Sequence, residues 1–209
     1  MKKGRIIICF SIVALLVLSV VGLRFRVAQL HKISGYMDKG YAYYDEKDYD
    51  NAIIACNEAI RLFQIFDRNN SGRGYNLRGN VYSAKGDYVQ AIADYTQAIK
   101  LDPDYEVYYS NRGLSYRAMG DYDSAIADFT SAIQIDPEDF DNAERYNWRA
   151  GVYVNNGEYD KAIADYNAAL QINPDDTDAK SGISYVNVLK NNPGMSAIEK
   201  IMELMRPPQ

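Results

Sequence analysis

Two hydrophobic patterns divide the chain of 209 residues. The first is an uncharged run from Ile6 to Leu23, in which only Ser11, Ser19 and Gly22 interrupt the apolar residues. The second begins after this run and mixes apolar with polar positions. It contains a recurring segment of the form Gly-Asp-Tyr-x-x-Ala-Ile-x-Asp-Tyr. The first pattern predicts a membrane-spanning helix, and the second predicts an array of similar structural units.

The apolar run is long enough to cross a membrane as a helix. Its 18 residues would rise about 27 Å at about 1.5 Å per residue, close to a hydrocarbon core of about 30 Å. Basic side chains flank it on both sides, namely those of Lys2, Lys3, Arg5, Arg24 and Arg26. We therefore predict an uncleaved single-pass anchor through residues 6–23. The N-terminus would lie in the cytoplasm, and the body of the protein would lie outside a bacterial inner membrane.

A cleaved secretory signal peptide is the alternative interpretation of the same run. The run is long for a signal peptide, and Val20, Val21 and Gly22 match the small-x-small cleavage motif poorly. Cleavage would leave a soluble periplasmic or secreted protein. Basic residues are almost balanced across the run, so the charge distribution favours neither membrane orientation strongly.

The recurring segment occurs at residues 86–95, 120–129 and 157–166, with a weaker copy at 47–56. Its central alanines are spaced 39, 34 and 37 residues apart. One spacing is therefore a unit of 34 residues, and the others carry insertions of five and three. The chain thus contains four copies of one unit, with the insertions between copies.

The copies resemble the tetratricopeptide repeat (TPR) family, whose signature is a set of aromatic, small and proline positions at fixed offsets. In the second copy these positions are Tyr75, Gly79, Tyr82, Ala91, Tyr95, Ala98 and Pro103. The four copies run over residues 33–66, 72–105, 106–139 and 143–176. The resemblance implies an all-α fold, a right-handed solenoid of four helix-turn-helix repeats that follows the N-terminal transmembrane helix.

In this family the first helices of the repeats line a concave groove that receives a peptide or helix of a partner protein. By this resemblance the groove residues are Tyr41, Tyr44, Arg73, Asn76, Asn80, Ser110, Leu114, Arg117 and Asn147. Asparagine amides offer both a donor and an acceptor to a peptide backbone. The resemblance therefore implies a protein-interaction scaffold or adaptor.

One variant of the family grips a carboxylate at the end of a peptide with Lys and Asn side chains. Asn80 and Asn111 stand at matching places in this sequence. Asn76, Glu144 and Trp148, however, occupy places where this variant mostly has basic residues. We therefore do not predict binding of chaperone tails.

The C-terminal segment, residues 177–209, follows the last copy and contains two predicted helices. Residues 178–189 resemble the first helix of a fifth copy without its partner, which predicts a capping helix over the last repeat. Residues 196–205 form a short amphipathic stretch with Ile198, Ile201, Met202 and Met205 on one face. This stretch is interpreted either as a second docking turn of the cap or as a helix for partner binding or self-association.

A charged pair recurs with the repeat. Arg78, Arg112 and Arg149 stand where the family usually has Leu, and Asp94, Asp128 and Asp165 follow sixteen residues later. In the first copy these positions hold Lys39 and Ala55, so Arg and Asp are present or absent together. We predict an ion pair between the two helices of one repeat, because an Arg at an apolar site needs a partner. Shared ancestry without contact, or pairing with the following repeat, would leave the same pattern.

The charge of the chain is unevenly distributed. Residues 1–32 hold six Lys or Arg and no acid (+6), whereas residues 33–209 hold 17 Lys or Arg and 28 acids (−11). An acidic body excludes a nucleic-acid surface and favours a basic partner. A single His, two Cys and the lack of a Walker loop, zinc signature or nucleophile elbow disfavour an enzyme and predict no cofactor or metal.

Overall fold

The computed structural model describes the backbone of residues 2–192 and the side chains of residues 21–192. This part of the chain contains nine α-helices, a short 3₁₀ helix (Arg68–Asn70) and no strand, which confirms the predicted all-α class. The amphipathic stretch predicted at 196–205 lies outside the described residues. The helices are α1 (Lys2–Asp45), α2 (Tyr49–Phe66), α3 (Ser71–Lys85), α4 (Tyr88–Leu101), α5 (Glu106–Met119), α6 (Tyr122–Ile135), α7 (Asn142–Asn155), α8 (Tyr159–Ile172) and α9 (Thr177–Asn191).

The first helix is far longer than the other helices. α1 continues without a break for 44 residues, or about 66 Å. It therefore crosses the predicted boundary between the N-terminal segment, residues 1–32, and the first copy, which begins at residue 33. Among the described residues, no helix is both long enough and apolar enough to cross a membrane. Most of the apolar run at 6–23 lies outside the range of described side chains, so the anchor stays a prediction.

The helices form consecutive pairs, one pair for each predicted copy. α1 packs on α2, α3 on α4, α5 on α6 and α7 on α8, while α9 packs on α8 as the predicted capping helix would. The first helices of the pairs also contact one another in series, from α1 through α3, α5 and α7 to α9. This row of first helices is the arrangement that a continuous groove requires.

The turns within the pairs depend on residues with a left-handed backbone. Gly86 ends α3 with a φ of 86°, and its amide together with that of Asp87 caps the last carbonyls of the helix. Glycine adopts this conformation at little cost. In the first copy the equivalent residue is Lys47, which adopts a φ of 61° at the cost of a side chain in the left-handed region.

Small residues let the paired helices approach closely, as the sequence predicts. Ala52, Ala91, Ala125 and Ala162 are all fully buried in their second helices. In α3, a Cβ atom added at Gly79 would lie 2.7 Å from the Tyr95 ring of α4. Aromatic side chains therefore fill the space beside glycine, which explains why the repeats are rich in tyrosine.

Candidate partner-binding groove

Four of the predicted groove residues line one depression on the row of first helices. Its volume is about 460 Å³, and it is lined by Tyr44 from α1, Asn80 from α3, and Leu114 and Arg117 from α5. Asn111 and Tyr95 also line it. The first three repeats therefore contribute to one surface, with aromatic, amide, aliphatic and cationic side chains together.

Two amides that line this depression, Asn80 and Asn111, form a hydrogen-bonded array with the neighbouring Asn76. The Asn111 Nδ2 atom donates to Asn76 Oδ1 at 3.0 Å and to Asn80 Oδ1 at 3.2 Å. The buried Tyr95 hydroxyl donates to the same Asn80 oxygen at 2.8 Å. These bonds link two repeats and hold the three amides in fixed orientations. Fixed polar groups bind a ligand with a small loss of side-chain entropy.

Tyr41 and Arg73 lie beside each other, with Tyr105 and Tyr108 in the same cluster. Burial raises the pKa of Tyr41, and the nearby Arg73 charge opposes that increase. The Tyr105 and Tyr108 rings meet edge to face at 4.7 Å, and burial raises the pKa of Tyr108 to about 12. The hydroxyls of Tyr41 and Tyr108 are therefore neutral at pH 7. The guanidinium of Arg73, which acts on both hydroxyls, is exposed and forms no ion pair within the described part of the chain.

Ser110 does not line the groove, which corrects the sequence-based prediction. Only 4% of its surface is exposed, and its hydroxyl donates to the Glu106 carbonyl and accepts a hydrogen bond from Arg145 Nε at 3.0 Å. Arg145 is equally buried and also bonds Asp139 at 2.6 Å and Asn142 at 3.0 Å. Ser110 therefore helps to hold a buried cation and is not available to a partner.

Sequence analysis missed Arg145 altogether. Its partners come from α5 and from the insertion between the third and fourth copies, so no repeat position marks them. Asp139 precedes Arg145 by six residues, and the pKa of its carboxyl is lowered by the hydrogen bond to that guanidinium. The only signal in the sequence was an Arg beside the insertion with an acid close before it.

Asn147 lies at the other end of the row, next to the capping helix. Its Nδ2 atom donates to Asp176 Oδ2 at 2.7 Å, while its Oδ1 atom is buried without a partner among the described residues. The neighbouring depression, about 360 Å³, is lined by acidic side chains from Asp141, Glu144, Asp175, Asp176 and Asp178. Asp176 also caps the N-terminus of α9. The groove therefore becomes acidic towards its C-terminal end.

The predicted ion pairs are confirmed, and each lies within one repeat. Arg112 meets Asp128 in a bidentate pair, with Nε and Nη2 at 2.8 and 2.7 Å from the two carboxylate oxygens. The pairs of Arg78 with Asp94 and of Arg149 with Asp165 have the same geometry. Hydrogen bonding to Asp94 raises the pKa of Arg78. The pattern therefore reflects contact, and not only shared ancestry.

Each of these guanidiniums also reaches the second helix of the preceding repeat. The Nη1 atoms of Arg78, Arg112 and Arg149 donate to Asn57, Thr96 and Thr130, respectively. Each guanidinium also lies 5.4–5.8 Å from the centre of a tyrosine ring three residues earlier. One side chain per repeat therefore joins three helices, which fixes the angle between repeats.

The side chains at the carboxylate-clamp positions divide into two groups. Asn80 and Asn111 lie in the central depression, as the sequence comparison with that variant suggests. Trp148 packs on Phe129 of the preceding repeat, with ring centres 5.8 Å apart. Neither Asn76 nor Glu144 supplies positive charge. Among the described residues, no cluster of His, Cys, Asp and Glu is arranged to hold a metal ion.

Comparison with known proteins supports the repeat assignment. Models of the tetratricopeptide repeat match residues 33–64, 107–139 and 143–176, and a model described as TPR repeat matches residues 79–120. Together these matches cover more than half of the chain. No protein with a curated description matches the sequence significantly.

Solved structures resemble the fold. The crystal structure of MamA protein has a TM-score of 0.66 and 24% identity, and the alignment covers 83% of this chain and 90% of that chain. A tetratricopeptide repeat protein from Parabacteroides merdae has a TM-score of 0.67 and 20% identity, and the alignment covers 84% of this chain and 68% of that chain. The first TPR of Spaghetti (RPAP3), bound to an HSP90 peptide, has a TM-score of 0.54 and 22% identity. That alignment covers 57% of this chain and 93% of that chain. At these identities the likeness shows the fold alone.

Proposed function

Since the chain belongs to the tetratricopeptide repeat family, whose repeats serve as protein-interaction modules, we propose that it is a membrane-anchored scaffold or adaptor. Its groove would bind a peptide or helix of a partner protein and hold that partner at the membrane. The proposed anchor is residues 6–23, and the proposed location is a bacterial inner membrane with the repeats outside the cytoplasm. The uncharged run and its basic flanks support the anchor.

The observation that carries the proposed groove is the ordered amide array of Asn76, Asn80 and Asn111. Its hydrogen bonds span two repeats, and Leu114, Arg117 and Tyr44 stand around it. A partner peptide has a backbone amide and carbonyl at every residue. A concave surface with fixed amides and a few apolar side chains satisfies those groups and buries a side chain between them.

A neighbour in structure supports the mode of binding but not the identity of the partner. The first TPR of Spaghetti (RPAP3) binds an HSP90 peptide. This chain lacks basic side chains at Asn76, Glu144 and Trp148. We therefore propose a peptide-binding groove without a carboxylate clamp, in which an internal segment of the partner is bound.

We further propose that part of the bound segment is basic. Residues 33–209 carry a charge of −11, and the depression beside Asn147 is lined by acidic residues. A Lys or Arg of the partner at this end would face these carboxylates, of which Asp175 already lies 3.6 Å from the exposed Lys180. Arg73 and Arg117 belong to the other part of the groove, where a neutral or acidic stretch fits better.

The test of the groove removes two guanidiniums and one amide of the array. The variant Arg73→Ala, Asn76→Ala and Arg117→Ala leaves Asn80 in place, because the buried Tyr95 hydroxyl depends on it. The partner is first captured by the wild-type chain and identified by mass spectrometry, and its affinity is then measured by calorimetry. We expect the variant to bind at least about tenfold more weakly, as for contacts at the centre of an interface.

A matched control removes the same kinds of side chain from outside the groove. The variant Arg61→Ala, Arg68→Ala and Asn167→Ala changes exposed residues of α2, the 3₁₀ helix and α8, and we expect it to bind as the wild type does. Unchanged affinity in the groove variant, with helical content and Tm preserved, would show that the partner binds elsewhere. A basic segment also predicts that affinity falls as salt is raised, since exposed charges are screened beyond about 8 Å at physiological ionic strength.

A further inference from the structure

A basic pocket lies at the N-terminal end of the repeat array, away from the groove. It has a volume of about 560 Å³ and lies between α1 and α2. Its lining holds three cations and no acid. The side chains that matter for its chemistry are Lys32, Lys39 and Arg61, together with the apolar Ile65 and Phe66.

The positive charge of this pocket follows from the missing ion pair of the first repeat. Lys39 occupies the position of the paired arginines, but Ala55 replaces the aspartate, and Lys39 forms no ion pair within the described part of the chain. Within the described residues, α1 and α2 form the first helix pair of the array. Arg61 pairs at 2.8 Å only with Glu58 of its own helix. An anion that enters the pocket would therefore meet two ammonium groups without an ion pair among the described residues, those of Lys32 and Lys39, beside a guanidinium that already contacts Glu58.

The pocket faces along α1 towards the predicted anchor. Phe25, Gln29, Lys32, Tyr36 and Lys39 are spaced by four and three residues and so share one face of the helix. The Phe25 ring meets Phe66 of α2 edge to face at 5.9 Å, which joins this face to the first repeat. More than half of the Phe25 and Ile65 side chains is exposed. Apolar side chains therefore lie on the anchor side of the cations.

The distance along α1 from the end of the apolar run to Lys32 allows this lysine to reach the headgroups of a bilayer. Lys32 follows Leu23, the last residue of the apolar run, by about 14 Å at 1.5 Å per residue. Helical side chains lean towards the N-terminus of the helix, so the long lysine chain reaches back towards the membrane. The headgroup layer on one side of a bilayer is about 5–8 Å thick. The ammonium of Lys32 can therefore meet a lipid phosphate.

We propose that the membrane end of this pocket, at Lys32 and Arg61, binds the phosphate of an anionic phospholipid in the membrane that holds α1. Lys39, about 24 Å along the helix from the end of the apolar run, adds positive charge behind them. This inference rests on the anchor of the proposed function. Phe25 and Ile65 would contact the lipid below its headgroup. Each cation near an anionic surface strengthens binding by about fivefold. Lipid binding in the pocket would fix the orientation of the first repeat relative to the membrane surface.

The test uses the full chain in detergent micelles, with retained lipid measured by native mass spectrometry. Phosphatidylglycerol and phosphatidylcholine with the same acyl chains are offered separately. We expect the wild type to retain one phosphatidylglycerol molecule in preference to phosphatidylcholine. The variant Lys32→Gln, Lys39→Gln and Arg61→Gln should bind phosphatidylglycerol at least about tenfold more weakly, from two or more lost cations.

The control variant Lys100→Gln, Lys161→Gln and Lys180→Gln removes the same charge from exposed positions outside the pocket and the anchor, and it should retain the lipid. Equal loss in both variants would overturn the site in favour of diffuse attraction at the membrane surface. Displacement of the lipid by an equal concentration of inorganic phosphate would show a site for free anions instead. The anchor is tested by a separate experiment: the proposal of an anchor is wrong if a carbonate wash releases the wild-type chain from the membrane. The proposal of the lipid site is wrong if the pocket variant remains in the membrane and still retains phosphatidylglycerol.

Discussion

In the second, third and fourth repeats, one arginine position decides how neighbouring helices meet. Arg112 is only 17% exposed and Asp128 only 7%, so the pair is costly to remove from water. The bidentate geometry, the Thr96 hydroxyl and a nearby tyrosine ring offset that cost. Such a pair contributes little net stability compared with two apolar residues. Its effect is to fix the register of the helices, because an unpaired charge at this site is strongly unfavourable.

This balance predicts the outcome of a double-mutant cycle. Arg112→Leu leaves Asp128 buried without its partner and should lower the free energy of unfolding by about 2–4 kcal/mol. Adding Asp128→Ala removes the stranded charge and should recover about 1–3 kcal/mol. Leu is the family's usual residue there, so the side chain fits. Urea unfolding of the four proteins measures the coupling.

The exposed pair of Lys85 and Asp50 serves as the control for that cycle. It also joins two helices, at 2.6 Å, but its side chains are 47% and 82% exposed. The cycle Lys85→Leu and Asp50→Ala should therefore give a coupling below about 1 kcal/mol. Equal coupling energies in the two cycles would mean that burial does not control the strength of the pair.

At the residue scale, the sequence predicts contacts that repeat and misses those that do not. The three arginine–aspartate pairs were predictable because both partners recur at a constant offset. The Ser110–Arg145 contact depends on the insertion between the third and fourth copies, at residues 140–142, which occurs once in the chain. Ser110 was placed in the groove by its offset alone. The buried guanidinium that occupies its hydroxyl could not be inferred from that offset.

At the scale of the helix, the positions of α2 to α9 follow from the repeat. Gly86, Gly120 and Gly157 adopt the left-handed conformation that ends a first helix, with φ of 86°, 80° and 77°. Asp87 and Asp121 cap the second helices that follow. The continuity of α1 was harder to predict from the sequence. The resemblance to the repeat family gives the residue at which the first copy begins, but it does not predict that a helix already precedes that residue. No proline precedes the first copy, so nothing in the chain interrupts α1.

Two glycines in first helices should respond oppositely to the same substitution. Gly151, in α7, has no atom within 4 Å of an added Cβ, so Gly151→Ala should stabilise the protein by about 0.5–1 kcal/mol through helix propensity. At Gly79, in α3, the added Cβ would lie 2.7 Å from the Tyr95 ring, which is buried and hydrogen-bonded. Gly79→Ala should therefore destabilise by about 1–3 kcal/mol.

Urea unfolding of both variants beside the wild type checks this opposite response. Each variant adds one methyl group to the middle of a first helix, so each is the control for the other. If Gly79→Ala were as stable as the wild type, the Tyr95 ring would have to shift without loss. The glycine of the repeat would then not be needed for the close approach of α3 and α4.

At the scale of the whole molecule, the groove was only partly predictable. Tyr44, Asn80, Leu114 and Arg117 do meet in one depression, because the first helices stack in a row. The lining also includes Tyr95 and Tyr88 of α4, which the family resemblance did not assign. Which side chains of neighbouring helices meet depends on the angle between repeats. That angle is set by contacts such as Arg112 to Thr96, which are not encoded in any one repeat.

The continuity of α1 gives the anchor a physical consequence. Ile33, the first buried residue of the first repeat, follows Leu23 by ten residues, or about 15 Å of helix. A helix without a break would therefore hold the repeats close to the membrane surface and at a fixed angle. We expect the intact chain to stay in the membrane pellet after a carbonate wash, and a variant lacking residues 6–23 to be released. Protease added to spheroplasts should digest the repeats if they lie outside the cytoplasm. A released wild-type chain whose N-terminus lies near Leu23 by mass would instead establish a cleaved signal peptide.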